Sequence, residues 1–305
     1  MATRLRGARL RRHALARLRL GPAPRRSRRL RQPQAPLRRT LVPLVSRVLV
    51  TLVGLPLVLL VVWAGGWWLF ALAGVAAVLA LHEYALMIRS LRPVILAAYA
   101  GALLSLLGAH VGGLQWTTAG FLSTMVFAFL LHWIATTRQS ATVAIASTVL
   151  GAGWIGLGLA HLLLLRQIPS QGELATFTVL LAVWAGDIGA FFAGRLIGRH
   201  KLAPALSPGK TWEGFLFGTA ATIFVAFVAL YKQHYLSIWQ SVVLGAAIAI
   251  AAPLGDLFES ALKRDMQVKD SGRLLAAHGG VLDRIDSLLF AVVASYYLLR
   301  ALDAA

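Results

Sequence analysis

The feature that most constrains this chain is its series of long apolar segments. A helix needs about 20 mostly apolar residues to cross the hydrocarbon core of a membrane, and nine segments after residue 43 come close to or exceed that length. Their predicted bounds are 44–64, 67–88, 93–111, 115–136, 141–165, 173–194, 214–231, 238–255 and 281–302. Charged residues make up 13% of the chain, against about 25% in soluble domains. The sequence therefore predicts an all-α, polytopic membrane protein with about nine transmembrane helices.

The N-terminal segment has a different composition. Residues 1–40 contain fourteen arginines and no acid, which accounts for most of the net charge of +19. Arginine and proline without an apolar core predict disorder, and a polybasic segment beside a membrane is attracted to anionic lipid. We interpret 1–42 as a basic cytoplasmic arm and 43–305 as a membrane catalytic domain. The arm could anchor topology, bind lipid or RNA, or reflect an over-extended translation start; no specific nucleic-acid partner is expected.

The basic residues of the remaining loops predict an orientation. If the spans alternate from a cytoplasmic arm, Arg89, Arg92 and Arg138 fall on the same side as the arm, together with the loops 195–213 and 256–280. Excess arginine and lysine marks cytoplasmic loops. We expect a multi-pass protein of a bacterial-type inner membrane, with its N-terminus and these two loops in the cytoplasm.

Acidic residues are concentrated near the last two predicted spans. Six of the chain's eleven acids lie within residues 256–286: Asp256, Glu259, Asp265, Asp270, Asp283 and Asp286. Charge beside a bilayer is costly and is usually functional. Carboxylates with waters and substrate phosphates hold Mg²⁺, and neighbouring lysines and arginines suit phosphate oxygens. The pattern predicts a phosphoryl or nucleotidyl transfer site, with a salt-bridged, solvated loop as the alternative.

Three further sequence features lie outside this acidic cluster. The segment from Ser207 to Thr211 contains Gly-Lys-Thr, but Pro204 stands where a P-loop needs glycine and no strand is predicted; we interpret it as a flexible cationic loop for a polyanionic ligand. Asp187, inside the sixth span, could assist cation binding or pair with an arginine such as Arg195. Glu83, with His82 beside it, is predicted to be structural or interfacial.

The polar motifs resemble a known signature. Ser260-Ala-Leu-Lys-Arg, Lys269-Asp-Ser-Gly and His278-Gly-Gly-Val-Leu-Asp-Arg-Ile-Asp286 closely resemble the pattern of phosphatidate cytidylyltransferases, the CDP-diacylglycerol synthases, and the resemblance extends over about 44–302. The chain departs from it at Ala276-Ala277, where the family usually has proline and glycine. The basic arm matches no family pattern.

The resemblance implies an activity in phospholipid biosynthesis: CTP and phosphatidic acid give CDP-diacylglycerol and pyrophosphate. It implies Mg²⁺ and, as a further candidate, a monovalent cation such as K⁺; a homodimer is compatible with it. By this carry-over the candidate metal ligands are Asp256, Asp283 and Asp286, with Asp187 as a further candidate. Lys263, Arg264 and Lys269 would contact phosphate, and Asp270 and His278 would position groups in the catalytic site. The candidate substrate-binding residues are Ser207, Lys210, Thr211, Ser260 and Arg284.

Other functions remain compatible with these residues. A related enzyme could use CTP on another lipid or isoprenoid phosphate, with the same nucleotide site and a different lipid groove. A cation transporter would also place carboxylates in the membrane, but it predicts acids along a path through several spans rather than at one interface. A catalytically inactive scaffold would not need to retain the acids.

Overall fold

The computed structural model describes residues 52, 54–135, 140–233, 235–272 and 279–303. The basic arm 1–42, the beginning of the first predicted span, Arg138, Arg273 and His278 lie outside the described residues. The predictions made for them therefore stay predictions.

The described structure contains nine α-helices, a short 3₁₀ helix at Arg89–Leu91 and one small sheet. The helices are α1 Gly54–Ala64, α2 Gly66–Met87, α3 Ile95–Ile134, α4 Ala141–Gly151, α5 Gly158–Arg166, α6 Gly172–Leu196, α7 Trp212–Leu230, α8 Ile238–Asp265 and α9 Leu282–Asp303. A π-helical segment, Ala152–Leu157, joins α4 to α5 in one continuous span. The strands β1 Lys201–Ala203 and β2 Ser207–Thr211 pair antiparallel between α6 and α7.

Seven of these helical segments are long and apolar enough to cross a membrane. The number differs from the predicted nine because α1 is described over only eleven residues and because α3 carries two predicted spans. Gly113 interrupts α3 with φ 75° and ψ −159°. A Cβ at Gly101 would collide with Thr124, and one at Gly120 with the Leu104 backbone. The two arms of α3 therefore run antiparallel as a helical hairpin.

The span Ala141–Arg166 lies at the centre of the bundle, with 78% of its most apolar stretch buried. Glycines in this span pack closely against two other helices. A Cβ at Gly156 would lie 2.9 Å from Ala102 Cα, and one at Gly158 would lie 2.7 Å from the Leu289 side chain. The small residues thus allow α3 and α9 to approach this helix closely.

Contacts between loops group the helix ends into two faces. On one face Arg264 Nε donates to Leu206 O at 3.1 Å, and the Ser90 hydroxyl lies 3.7 Å from Met266 Sδ. On the other face Arg166 Nη2 donates to Trp63 O at 3.0 Å, and Gln167 Nε2 donates to the carbonyl oxygen of residue 110 at 3.2 Å. The described loops predicted to share one side of the membrane do lie together. Large apolar side chains cover the surface between the faces, as expected of a membrane protein.

Candidate functional site

A polar cavity opens among α6, α7, α8, α9 and the β1–β2 hairpin. Its volume is about 670 Å³. Eight charged side chains from four elements line it: Asp187, Arg195, Lys210, Asp256, Glu259, Lys263, Asp283 and Asp286. Residues up to 104 positions apart in the sequence, from Val183 to Ser287, contribute to one surface because the helices converge here. We call this volume the polar cavity.

The length of α8 places three of these side chains on one helix. The sequence predicted that this span ends near residue 255 and that a loop follows, whereas α8 continues to Asp265. Asp256, Glu259 and Lys263 follow one another at i, i+3 and i+7, so they share one helical face. The intervening Phe258 and Leu262 pack against the apolar core instead. This amphipathic pattern explains why the helix extends past the end of the apolar segment.

Lys263 connects α8 and α9, the two helices that carry most of the candidate site residues. Its Nζ lies 2.9 Å from Glu259 Oε2 and 2.9 Å from Asp283 Oδ1. The Glu259 side chain is 0% exposed and that of Lys263 only 14% exposed. Buried charges of this kind are stable only when paired and hydrogen-bonded. The lysine therefore fixes the relative position of two carboxylates from different helices.

Asp283 has protein donors at both oxygens. Besides Lys263, the backbone N–H of Gly280 donates to Oδ2 at 2.8 Å, and the N–H of Ser271 lies 3.3 Å from each oxygen. Asp283 thus organises the turn that precedes α9. Its assignment as a metal ligand remains a prediction, and in this structure its contacts are those of a carboxylate that holds a lysine and a backbone turn.

The β1–β2 hairpin brings a second lysine into the polar cavity. Lys210 Nζ lies 2.8 Å from Asp256 Oδ2 and 3.5 Å from Pro253 O. The sequence predicted a flexible loop without strands here, whereas 201–211 form the hairpin. Thr211 then caps α7 by accepting a hydrogen bond from Gly214 N at 3.1 Å, which is the typical role of threonine at a helix start. The Gly-Lys-Thr segment is therefore a strand and a helix cap rather than a P-loop.

Several carboxylic acid side chains lie close to one another in the cavity. Asp256 interacts electrostatically with both Asp187 and Asp286, and Asp286 with Glu259. Glu259 Oε1 is buried and accepts no hydrogen bond from a described residue. Within the described ranges no three acidic or histidine side chains are already arranged as a metal site. The oxygen-rich donor set nevertheless fits a hard divalent cation such as Mg²⁺.

Comparison with known proteins identifies the family. A model of the cytidylyltransferase family matches residues 45–302. The chain belongs to the cytidylyltransferase family. This match covers all the helices that line the polar cavity, and it agrees with the resemblance of the polar motifs.

Individual relatives are similar over shorter or longer stretches. A phosphatidate cytidylyltransferase of Staphylococcus haemolyticus is 37% identical over 170 residues, which are 55% of this chain and 64% of that protein. The chain thus spans just under two thirds of that relative's length. A phosphatidate cytidylyltransferase of Staphylococcus aureus is 31% identical over 248 residues, which are 80% of this chain and 94% of the relative.

The structure separates the predicted site residues into two groups. The members that line the polar cavity are Asp187, Ser207, Lys210, Thr211, Asp256, Lys263, Asp283 and Asp286. Those of the described chain that do not line it are Ser260, Arg264, Lys269, Asp270 and Arg284. Ser260 still supports the site, because its hydroxyl lies 3.4 Å from Asp256 Oδ1, and Arg264 holds the hairpin through Leu206 O.

Two residues were not among the predicted catalytic, substrate-binding or metal-binding residues. Glu259 is at the centre of the charge cluster, and its spacing from Asp256 and Lys263 on a continuous helix could have identified it. Glu83 was predicted to be structural or interfacial, yet it contacts the segment that leads into α9: its Oε2 accepts from Leu282 N at 2.9 Å. Nothing in the local sequence around Glu83 signals that partner, which lies 199 residues away.

Proposed function

We propose that the chain transfers CMP from CTP to phosphatidic acid, producing CDP-diacylglycerol and pyrophosphate. The observation that carries the proposal is the polar cavity itself. It combines two lysines and an arginine with a carboxylate cluster at the end of two membrane helices, in a chain of the cytidylyltransferase family. The names of the staphylococcal relatives support phosphatidate as the acceptor.

The reaction needs no protein nucleophile. A lipid phosphate oxygen attacks the α-phosphorus of CTP, a new P–O bond forms, and the bond from the α-phosphorus to the bridging oxygen of the β-phosphate breaks. The electron pair leaves with pyrophosphate. Catalysis then consists of alignment and of stabilising charge that develops on the phosphate oxygens. Lys210, Lys263 and Arg195 supply the positive charge at the cavity wall.

The carboxylates divide into two roles in this proposal. Asp256 and Asp286, with Asp187 and Glu259 beside them, would hold Mg²⁺, which when bound neutralises charge on the phosphate groups. Asp283 instead orients Lys263 and the turn before α9 through its hydrogen bonds. Lys210 pairs with Asp256. A phosphate group of CTP in the polar cavity would replace the Asp256 carboxylate as the partner of this lysine.

A second, apolar cavity on the other side of α8 supports a lipid acceptor. Its volume is about 760 Å³, and its wall includes Trp154, Phe258 and Phe290. Phe258 packs edge-on to Trp154 at 4.9 Å between ring centroids. An apolar space of this size, next to the helices that carry the charged cluster, suits a hydrocarbon chain better than a soluble substrate.

We also propose that the face with the polar cavity is cytoplasmic. The described residues of the basic loops, 89–92, 195–213 and 256–272, lie on that face, which is the distribution expected of a cytoplasmic side. CTP would then enter from the cytoplasm, and the lipid would enter from the membrane.

The test uses the purified protein with CTP labelled at the α-phosphate. Label should enter the lipid fraction with phosphatidic acid and Mg²⁺, and a chelator should abolish the transfer. CTP labelled at the γ-phosphate should leave the lipid unlabelled. Transfer to an isoprenoid phosphate but not to phosphatidic acid would assign the chain to the related activity, and cation flux without CTP would contradict both.

A further inference from the structure

Glu83 is a buried carboxylate far from the charged cluster in sequence. It lies on α2, is 1% exposed, and its Oε2 accepts from the N–H of Leu282, the first residue of α9, at 2.9 Å. Its other oxygen, Oε1, is buried and accepts no hydrogen bond from the described part of the chain. Burying a carboxylate in a membrane helix is costly, so its position calls for a role.

The backbone around Glu83 is built to accommodate it. A Cβ at Gly272 would lie 2.6 Å from Glu83 Cδ and 2.7 Å from its Cγ, closer than real Cβ atoms approach. At Gly280 a Cβ would lie 2.8 Å from Glu83 Cδ and would also collide with the Ser271 hydroxyl. Two glycines that both precede α9 in the sequence, Gly272 and Gly280, therefore pack directly against one carboxylate.

The backbone at and beside these two glycines also donates hydrogen bonds to Asp283. Ser271 N and Gly280 N both donate to its carboxylate, whose Oδ1 pairs with Lys263. Glu83 thus contacts one side of the turn and Asp283 the other. The first N–H groups of a helix have no partner inside the helix, and a negative charge is favourable at that end. Glu83 satisfies one of these groups from a different helix.

We propose that Glu83 is a positioning residue for the transfer reaction: from α2 it fixes the start of α9, and through the Gly280 turn it sets the location of Asp283 and of Lys263. Glu83 lines neither the polar cavity nor the apolar cavity. This inference rests on the proposed function, because it assigns Glu83 a role in that reaction. It links the N-terminal helices to the polar cavity through Leu282.

Kinetics of three variants test the role. Glu83→Ala should lower kcat by up to about 100-fold, the scale expected when a catalytic group is displaced by about 1 Å, with KM for CTP nearly unchanged. Glu83→Gln keeps an acceptor oxygen for Leu282 N and should recover most of kcat. Glu173→Ala is the matched control, because Glu173 pairs with Arg166 on the other face, and it should behave as wild type. A wild-type kcat in Glu83→Ala, measured per folded molecule, would overturn the proposal.

A double-substitution cycle tests the contact itself. Gly272→Ala alone should lower kcat and the thermal unfolding midpoint, because its methyl group displaces the Glu83 carboxylate. In the Glu83→Ala background the same change should have little further effect, since the colliding atoms are absent. Additive effects of the two substitutions would contradict direct contact.

Hydrogen exchange keeps this inference separate from the proposed function. In Glu83→Ala the amide hydrogens of Gly280 and Leu282 should exchange faster, while those of α5 keep their wild-type rates. That result would support the positioning contact even if the wild-type protein transferred no CMP. Unchanged exchange at α9's first turn would overturn the inference even if the wild-type protein were fully active.

Discussion

Lys263 holds two carboxylates at once, the buried one of Glu259 and the partly buried one of Asp283. Glu259 and Asp283 each lie 2.9 Å from its Nζ, one on its own helix and one on α9. The attraction between the lysine and the two carboxylates opposes the free-energy cost of removing the three charged groups from water. The arrangement is therefore sensitive to the loss of any one member, and the lysine is the member that both acids share.

Replacing Lys263 with methionine should destabilise the protein and abolish most of its activity. Removing one partner of a buried ion pair costs about 3–5 kcal/mol, and the midpoint of thermal unfolding in detergent should fall accordingly. Adding Glu259→Gln should recover part of the stability but not the turnover. Lys232→Met, on the opposite face, is the matched control. An unchanged midpoint in Lys263→Met would show that the pair is not buried as described.

Replacing Lys210 with methionine should act on nucleotide binding rather than on folding. A hydrogen bond to a charged group contributes about 1.5–3 kcal/mol, so the KM for CTP should rise by about 10-fold or more. The unfolding midpoint should stay near wild type because Lys210 lies on the hairpin at the rim of the cavity. An unchanged KM would remove Lys210 from the proposed phosphate contacts.

At the scale of elements, helix extension and helix pairing determine the site. The apolar pattern predicted the spans, but it stops at residue 255, where charge begins to alternate with Leu257, Phe258 and Leu262. Only packing against α9 shows that these residues continue α8. The hairpin 201–211 was also missed, because its strands are three and five residues long and contain Pro208 and Gly209, which are unfavourable in strands.

The helical hairpin of α3 gives a prediction at this scale. Gly120→Ala should lower the unfolding midpoint, because the added Cβ meets the backbone of Leu104 in the other arm. Gly54→Ala, with nothing within 4 Å of the added atom, is the matched control and should not lower it. Turnover per folded molecule should be similar in both variants. Equal midpoints would contradict the antiparallel packing of the two arms.

At the scale of the whole molecule, sequence alone predicted an all-α membrane bundle and the location of the charged residues on one face. The family resemblance implied Asp256, Asp283 and Asp286 as one set of metal ligands, and in the structure all three line the polar cavity; their role as metal ligands stays a prediction. The sequence alone could not predict which carboxylate oxygens accept hydrogen bonds from Lys263 and from backbone N–H groups. Those contacts depend on how α8 meets α9, which local periodicity does not encode.

The orientation can be tested directly because the chain contains no cysteine. Lys201→Cys places a thiol on the hairpin beside the polar cavity, and Lys232→Cys places one on the opposite face. An impermeant maleimide added to intact cells should label only Lys232→Cys, and permeabilised cells should show both. Labelling of Lys201→Cys in intact cells would reverse the proposed orientation.

The most direct test of the central claim compares wild type with Asp256→Asn and Asp286→Asn in CMP transfer from α-labelled CTP to phosphatidic acid. If the carboxylates of the polar cavity carry the reaction, wild type forms labelled lipid, and each variant loses most of its kcat while its unfolding midpoint shows that it remains folded. Wild-type turnover in both variants would place the reaction outside the polar cavity and contradict the account.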